Sequence, residues 1–423
     1  MISNLDYINE NFNLNSKEVS NFIDSRHMAR HRWYYYKEGF SPNLVKTAID
    51  TYNLKSNNLI MDPFNGSGTV TLAAAENNIP SIGMEVNPFT SFIAITKSLN
   101  TKHNILLELF NRTFDEINKG RIYSELERYS TFTNLSGGDK WLFNIEVIRA
   151  YYGGYHFLEN NKTNAAQLLK LILLTSIMEV SNARKDGKCL RYKPKWKELN
   201  FTKNDFLKSF IRNYVRVEED IKETQIKMNP NIYISDSRSK IITCEGDFDL
   251  IVTSPPYLNT FDYTDIYRPE LFLGKFVLNS ESLYKLRLET IRSHIQVKWN
   301  LPDLNSIESI LLKDVYRSLN SKKELLMDSK IPLMILAYFE DMKLIFKQAS
   351  LKAKKNAHLW MVISNSAYAN EEIPVDLILA DIATKNGWNL NEIGVLREIK
   401  KRKTRYSPDI DTLRESVIIL ERK

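Results

Sequence analysis

Two short apolar runs, each ending abruptly in turn-forming residues, dominate the pattern of hydrophobic and polar positions. The first is Asp249-Leu250-Ile251-Val252-Thr253, of strand type, followed directly by Ser254-Pro255-Pro256-Tyr257. Proline has no N–H and a fixed φ, so the strand must end there in a stiff, extended loop. The second is Leu59-Ile60-Met61, which runs into Asp62-Pro63-Phe64-Asn65-Gly66-Ser67-Gly68-Thr69 and then a helical stretch over 71–77. Gly66 and Gly68 permit a tight turn and close backbone approach to a ligand beside a helix N-terminus. A further strand over 82–87 places Glu85 23 positions after Asp62. That is the spacing at which a carboxylate in a βαβ unit reaches ribose hydroxyls. The third glycine of a dinucleotide fingerprint is missing, which argues against NAD.

Periodicity elsewhere predicts helices over 42–52 (Ser41 as N-cap, Pro42 in the first position), 89–99, 105–126, 145–158, 165–180 and 206–228. Residues 101–229 therefore read as a helical insertion between two halves of one sheet. A short strand over 232–234 ends just before Asp236. Residues 275–330 are mostly helical and charged, with a candidate recognition stretch at 287–299. Beyond them come a helix over 332–349, a strand over 358–363, a helix over 376–386, and closing antiparallel strands at 395–399 and 415–421.

Composition changes this picture only modestly. With 423 residues, 43% hydrophobic and 26% charged, the chain is long enough for a large core. A net charge of +7 favours a polyanionic partner, although richness in Lys, Asn and Ile is also what AT-rich coding produces. Cys189 and Cys244 stand too far apart to suggest a zinc site or disulfide, and both are expected to be buried thiols. Neither follows a proline as a cytosine-C5 methyltransferase nucleophile would. Residues 1–15 lack an apolar signal core and the apolar run 168–178 is too short to span a bilayer, so a cytoplasmic protein is expected.

Three basic segments stand out. Residues 26–37 combine Arg and His with Trp33-Tyr34-Tyr35-Tyr36, either as an arm packed on the sheet or as aromatics that stack on or contact nucleic acid. Residues 182–197 read as a loop whose Arg184, Lys185, Arg191, Lys193 and Lys195 are interleaved with Tyr192 and Trp196, and Lys401, Arg402 and Lys403 lie in a basic loop over 400–406. Both loops suit contacts to nucleic-acid phosphates; the bland alternative is solvated surface.

Asp62-Pro63-Phe64-Asn65-Gly66-Ser67-Gly68-Thr69 taken with Thr253-Ser254-Pro255-Pro256-Tyr257 resembles the amino-methyltransferases that modify exocyclic amines of DNA bases with S-adenosylmethionine. Ser-Pro-Pro-Tyr is most similar to the N4-cytosine branch, since adenine-N6 enzymes more often carry Asp or Asn in place of Ser254. The resemblance extends in pieces over 26–100 and 230–423 and finds no counterpart for 101–229 or 275–330. It implies an α/β fold with a Rossmann-like class I methyltransferase sheet, mostly parallel with an antiparallel closing strand. The catalytic domain would comprise 26–100 and 230–423, with 101–229 and 275–330 as insertions that recognise DNA.

By the same resemblance, Phe40, Ser41 and Pro42 close over the methionine end of the cofactor. Asp62, Pro63, Phe64, Asn65, Gly66, Gly68, Glu85, Val86 and Thr253 complete its site, and Asp236 accepts from the adenine amino group. Ser254 and the Pro255 carbonyl would orient the target amine in the loop that Pro256 stiffens, with Tyr257 stacked on a flipped base. The expected partners are double-stranded DNA and, by analogy, a cognate restriction endonuclease; no metal is required. The other readings are adenine-N6 methylation of DNA, RNA amino-methylation, and a catalytically silent DNA-binding homologue. Intact Gly66, Gly68, Glu85, Asp236, Ser254 and Tyr257 speak against silence.

Overall fold

The computed structural model describes residues 4–12, 22–120, 123–186, 189–304, 307–400 and 406–423. Along them run the strands β1 (Ile8–Asn9), β2 (Ile60–Asp62), β3 (Ser81–Glu85), β4 (Ala183–Asp186), β5 (Cys189–Tyr192), β6 (Asn231–Ile234), β7 (Phe248–Thr253), β8 (Ala353–Ser364), β9 (Ser366–Tyr368), β10 (Glu371–Ile373), β11 (Trp388–Lys400) and β12 (Thr412–Arg422). Eight of these form one sheet in the order β1-β11-β12-β8-β7-β2-β3-β6. From β6 to β8 the neighbours are parallel, whereas β12 runs antiparallel to both β8 and β11. This is the Rossmann-like, mostly parallel sheet with an antiparallel closing strand that the sequence motifs implied.

The central strands are apolar along their length because helices cover both faces. Every residue of β2 is buried, and in β7 only Asp249 is partly exposed. The sequence order reverses where β2 meets β7: the chain builds outward to β3 and β6 on one side and to β8 on the other. Such a switch point leaves a crevice at the carboxyl ends of the strands.

Local chemistry fixes where the flanking helices begin. Ser41 caps Pro42–Thr51 by accepting from the Asn43 N–H at 3.1 Å, and Asn87 caps Pro88–Lys97 by accepting from the Phe89 N–H at 3.0 Å. Helices His103–Lys119, Ile145–Leu158, Asn164–Glu179 and Lys203–Glu223 fill most of 101–229. Their core, including Tyr151, Leu169, Phe206 and Phe210, is continuous with Phe89 and Ile93 of the helix behind β3. Gly120, at φ +61°, ends the first of these helices seven residues earlier than periodicity had suggested.

Two expectations need correction. Residues 182–197 are not simply a loop, because β4 and β5 pair as an antiparallel hairpin, Arg184 opposite Arg191 and Lys185 opposite Leu190. Cys189, expected to be buried, is exposed on this hairpin, whereas Cys244 is buried. No helix among the described residues is long and apolar enough to cross a membrane.

The basic-aromatic segment near the N-terminus is a clamp. Arg30 is fully buried, and its guanidinium donates to the carbonyls of Lys97 (2.9 Å), Leu99 (2.9 Å) and Thr224 (2.6 Å) and to Asn100 Oδ1 (2.7 Å). Asp220 accepts from the Arg30 backbone N–H (2.9 Å), from Arg32 Nε (3.1 Å) and from Trp33 Nε1 (2.8 Å). A charge can stay this deep because its hydrogen-bonding groups find partners. Trp33 is buried here and presents no face to nucleic acid.

Gly83 supports the turn after β2. A Cβ at this position would lie 2.5 Å from Asn65 Cγ, so only glycine lets the Asn65 side chain lie across β3. Gly83→Ala should therefore lose about 1–3 kcal/mol of stability in urea denaturation through overpacking. Gly138→Ala, whose added Cβ meets nothing closer than 3.7 Å, should change stability by less than about 0.5 kcal/mol. Equal losses at the two positions would show that Asn65 yields without strain.

Candidate functional site

The carboxyl ends of β2 and β7 are joined by one buried hydrogen bond, from Thr253 Oγ1 to Asp62 Oδ1 at 2.7 Å. The same oxygen accepts from the Phe64 N–H at 3.0 Å and so shapes the start of the glycine turn. Within the turn Gly66 adopts φ +49° and Gly68 φ +85°. A Cβ on Gly66 would meet the Tyr36 ring at 3.2 Å, and one on Gly68 would meet Ala94 Cβ at 2.8 Å. At the end of β3, Glu85 accepts from the Gly66 N–H with Oε2 (2.9 Å) and from the Asn87 N–H with Oε1 (2.8 Å). One carboxylate thus ties the glycine turn to the next strand end.

These strand ends open on a cavity of about 360 Å³. Phe40, Asp62, Pro63, Phe64, Asn65, Gly66, Glu85, Val86 and Asp236 line it together with Ser254, Pro255, Pro256 and Tyr257. The two motifs, nearly 190 residues apart in sequence, therefore face one space. Ser41, Pro42, Gly68 and Thr253 stand behind its wall instead. Ser41 and Pro42 open a helix, and Ser41 Oγ also donates to Asp24 at 2.9 Å. Gly68 packs on Ala94 and Thr253 holds Asp62.

Asp236 caps the short helix Ser237–Lys240 and is ion-paired with Arg238 at 2.7 Å. The Ser237 hydroxyl beside it donates to the Pro63 carbonyl at 2.7 Å. Tyr257 is fixed by its hydroxyl, which donates to Glu415 Oε1 at 3.0 Å, and Arg397 Nε holds the other Glu415 oxygen at 2.6 Å. The closing strands thereby orient the aromatic of the Ser-Pro-Pro-Tyr loop.

Six carboxylates line the cavity: Glu38, Asp62, Glu85, Asp236, Glu289 and Glu415. Only Lys37 and Arg397 among the lining residues carry fixed positive charge. Burial raises the carboxyls of Asp62, to about 7, and of Glu85 and Glu38, with hydrogen bonds to each opposing the rise. A site of this sign suits a cationic ligand. Asn65 Nδ2, buried over Gly83, has no hydrogen-bond partner among the described residues, and the Tyr36 ring fills the space a Gly66 side chain would take. Among the described residues no cluster of metal-ligating side chains occurs.

Several lining residues carried no sequence signal. Glu38 accepts from the Tyr267 hydroxyl, and Tyr36 stacks on the Tyr267 ring at 5.4 Å. Residues 287–299, expected to recognise DNA, largely build the wall: Thr290, Ile291 and His294 line the cavity. Arg287 is paired with Asp262 at 2.6 Å and Arg292 with Asp341 at 2.6 Å.

The basic residues of the hairpin part ways. Lys185 is a correction: its Nζ turns inward, bonds Glu270 and the Tyr34 hydroxyl, and lies 3.9 Å from the Tyr267 ring centroid. Burial lowers its pKa against the pull of Glu270, and no phosphate contact is open to it. Lys193 lies over Phe201 and donates to the carbonyl of Glu179, the last residue of its helix, at 3.2 Å. Arg191 pairs with Asp186 at 2.6 Å on the surface and Lys195 stands 3.8 Å from Glu198, while Arg184 and Lys195 are both exposed. Lys401, Arg402 and Lys403 fall outside the described residues.

The sequence model of the N6/N4-type DNA methylase family matches residues 7–95. The chain is 28% identical to the Type II methyltransferase M.BsoBI of Geobacillus stearothermophilus, over 98% of this chain and 90% of that protein. It is also 28% identical to M.AvaI of a Nostoc species (90% and 83% covered) and 22% identical to M.MvaI of Kocuria varians (88% and 83%), both Type II methyltransferases. A solved SAM-dependent methyltransferase from Methanosarcina mazei aligns over 88% of this chain and 96% of its own at 10% identity, with a TM-score of 0.29.

The buried Asp62 has a measurable signature. Its pKa rises from 3.8 to about 7 on folding, so the folded state holds the proton more tightly. The associated stability is present at low pH and is lost as pH climbs through that window. Asp62→Asn keeps an acceptor for Phe64 and Thr253 but cannot ionise. Without ligand, its melting temperature should rise relative to the unmodified protein between pH 5 and pH 8. A constant offset at both pH values would show that Asp62 is charged throughout.

Proposed function

The chain belongs to the S-adenosylmethionine-dependent DNA amino-methyltransferase family, and from that premise we propose that it methylates the N4 amine of cytosine at a specific site in duplex DNA. The reading includes a role as the modification half of a Type II restriction-modification pair. One observation carries it: Ser254-Pro255-Pro256-Tyr257 lies at the carboxyl end of β7 and faces the same acidic cavity as Asp62 and Glu85.

The cofactor supplies an electrophilic methyl on a cationic sulfonium, which matches the sign of the cavity. Asp62, Glu85 and the Gly66 backbone would hold it from the β2 and β3 side, leaving the Ser254 side for the base. Glu85, in the cavity wall at the end of β3, would accept from vicinal hydroxyls. The amine of cytosine is a weak nucleophile because its lone pair is delocalised into the ring. Ser254 Oγ and the Pro255 carbonyl can accept its two N–H groups and so favour charge developing on nitrogen. Tyr257, tied to Glu415 and Arg397, offers a fixed ring for a base swung out of the duplex. A serine at this position accepts without adding a second negative charge beside the base.

Duplex DNA would approach over the hairpin, with Arg184 and Lys195 as phosphate contacts. Replacing both by Ala should weaken all duplexes alike and flatten the slope of log affinity against log salt by about 0.9 per lost contact. An unchanged slope would return the hairpin face to solvated surface. Ser254→Ala should lower turnover by roughly 10²–10³ while leaving cofactor affinity intact. Mass spectrometry of nucleosides from DNA treated with the purified protein decides the target atom. N4-methylcytosine is expected; N6-methyladenine would overturn the cytosine assignment and leave the family standing.

A further inference from the structure

A second cavity, of about 210 Å³, lies on the other side of Tyr36 and the glycine turn. Tyr36, Ser67 and Thr69 line both spaces, but the charge is inverted. Arg26, His31, Arg32, Lys97 and Arg216 line the second, and among the described residues no carboxylate does. Arg32 is compensated by Asp220, and His31 stands 3.6 Å from Glu76. Among the described residues the other three cations have no acidic partner within ion-pair distance. Arg26 lies over the Tyr35 ring at 4.3 Å and Arg216 donates to Asn213 Oδ1 at 3.1 Å.

Lys97 is the decisive group. It is the last residue of helix Pro88–Lys97, only 3% exposed, and its carbonyl is taken by Arg30. Among the described residues its ammonium has no hydrogen-bond or ion-pair partner, and Glu76 acts on it only through space. Burial lowers its pKa to about 7. An amine held this deep without an acceptor is costly unless a ligand supplies one. Hydroxyls of Ser25, Ser67 and Thr69 add neutral donors to the same space.

We propose that this cavity is a phosphate-binding site in which Lys97, Arg26 and Arg216 neutralise one phosphate group. Three cations without acidic partners match a dianion better than a single carboxylate, and the volume holds a tetrahedral oxyanion with water to spare. The phosphate comes either free from solution or on the DNA backbone, and the two sources can be told apart.

The test titrates inorganic phosphate into the full-length protein without DNA, followed by calorimetry and by melting temperature. Phosphate should bind and raise the melting temperature, as any ligand of the folded state does. Lys97→Met should weaken phosphate binding by at least about tenfold, and Lys97→Arg should restore most of it. Lys97→Met should also melt no lower than the unmodified protein in phosphate-free buffer, since it removes a buried amine that lacks a partner. If free phosphate does not bind, but Lys97→Met lowers duplex affinity and flattens its salt dependence by about one contact, the phosphate is the DNA backbone's. Equal phosphate and duplex affinities in Lys97→Met and unmodified protein overturn the assignment. So does a Lys97→Met protein that loses affinity for S-adenosylmethionine but not for its decarboxylated analogue, because the cavity would then serve the cofactor's carboxylate.

Discussion

The hydrogen bond from Thr253 to Asp62 stands at the point where the two halves of the sheet meet, and the site depends on it. β2 and β7 are neighbours in space but lie nearly 190 residues apart in sequence, with the helical insertion between them. Parallel pairing brings the strands side by side, but it does not by itself fix the geometry of their last residues. One buried oxygen that accepts from both Thr253 and Phe64 does so, placing the glycine turn and the proline loop in a common frame. A buried carboxyl is an unfavourable group, tolerated here because its position sets the geometry of both loops.

From that frame the chain builds two spaces of opposite electrostatic character with a shared wall. The acidic cavity faces the strand ends, and the cationic one lies behind Tyr36. Tyr36 can separate them because Gly66 leaves room for its ring on one side and Tyr267 stacks on it from the other. The buried Lys185–Glu270 pair continues this packing outward to the root of the hairpin, so the hairpin is anchored in the cavity wall. A polar group within such a layer fixes one arrangement of its neighbours, since alternative packings would strand a charge.

Where the structural information was local, the sequence displayed it. The turn after β2, the spacing to Glu85 and the stop at Pro255-Pro256 are all consequences of residues adjacent in sequence. Ser41 and Asn87 announce helix starts for the same reason. The hairpin β4–β5 was hidden because its inward positions are Ala183 and Lys185, a pattern without the apolar alternation that marks a strand. Lys185 looks like any surface lysine until Glu270, 85 residues further on, is placed against it. Glu415 is likewise silent, since its role comes from Tyr257 in the loop after β7 and Arg397 on β11. The early part of β8 runs through Lys354, Lys355 and Asn356, polar residues where the pairing with β7 is irregular, Asn356 turns to φ +62° and Lys354 pairs with Asp249.

Arg30 has a consequence for how the molecule is made. Among the described residues its side chain donates to carbonyls, an amide and a hydroxyl that follow it by 67, 69, 70 and 194 positions. Asp220, which receives Arg30, Arg32 and Trp33 together, lies almost as far along the chain. During synthesis the N-terminal clamp therefore has no home until the last turn of helix Lys203–Glu223 and Thr224 beyond it have left the ribosome. The segment that follows it and walls the acidic cavity, Tyr36 through Phe40, must wait equally long. Contacts of such sequence separation form late because loop closure precedes any gain from them. The first piece of the site to be translated thus stays unseated while the whole helical insertion is made, and only then can the later strands close the cavity over it.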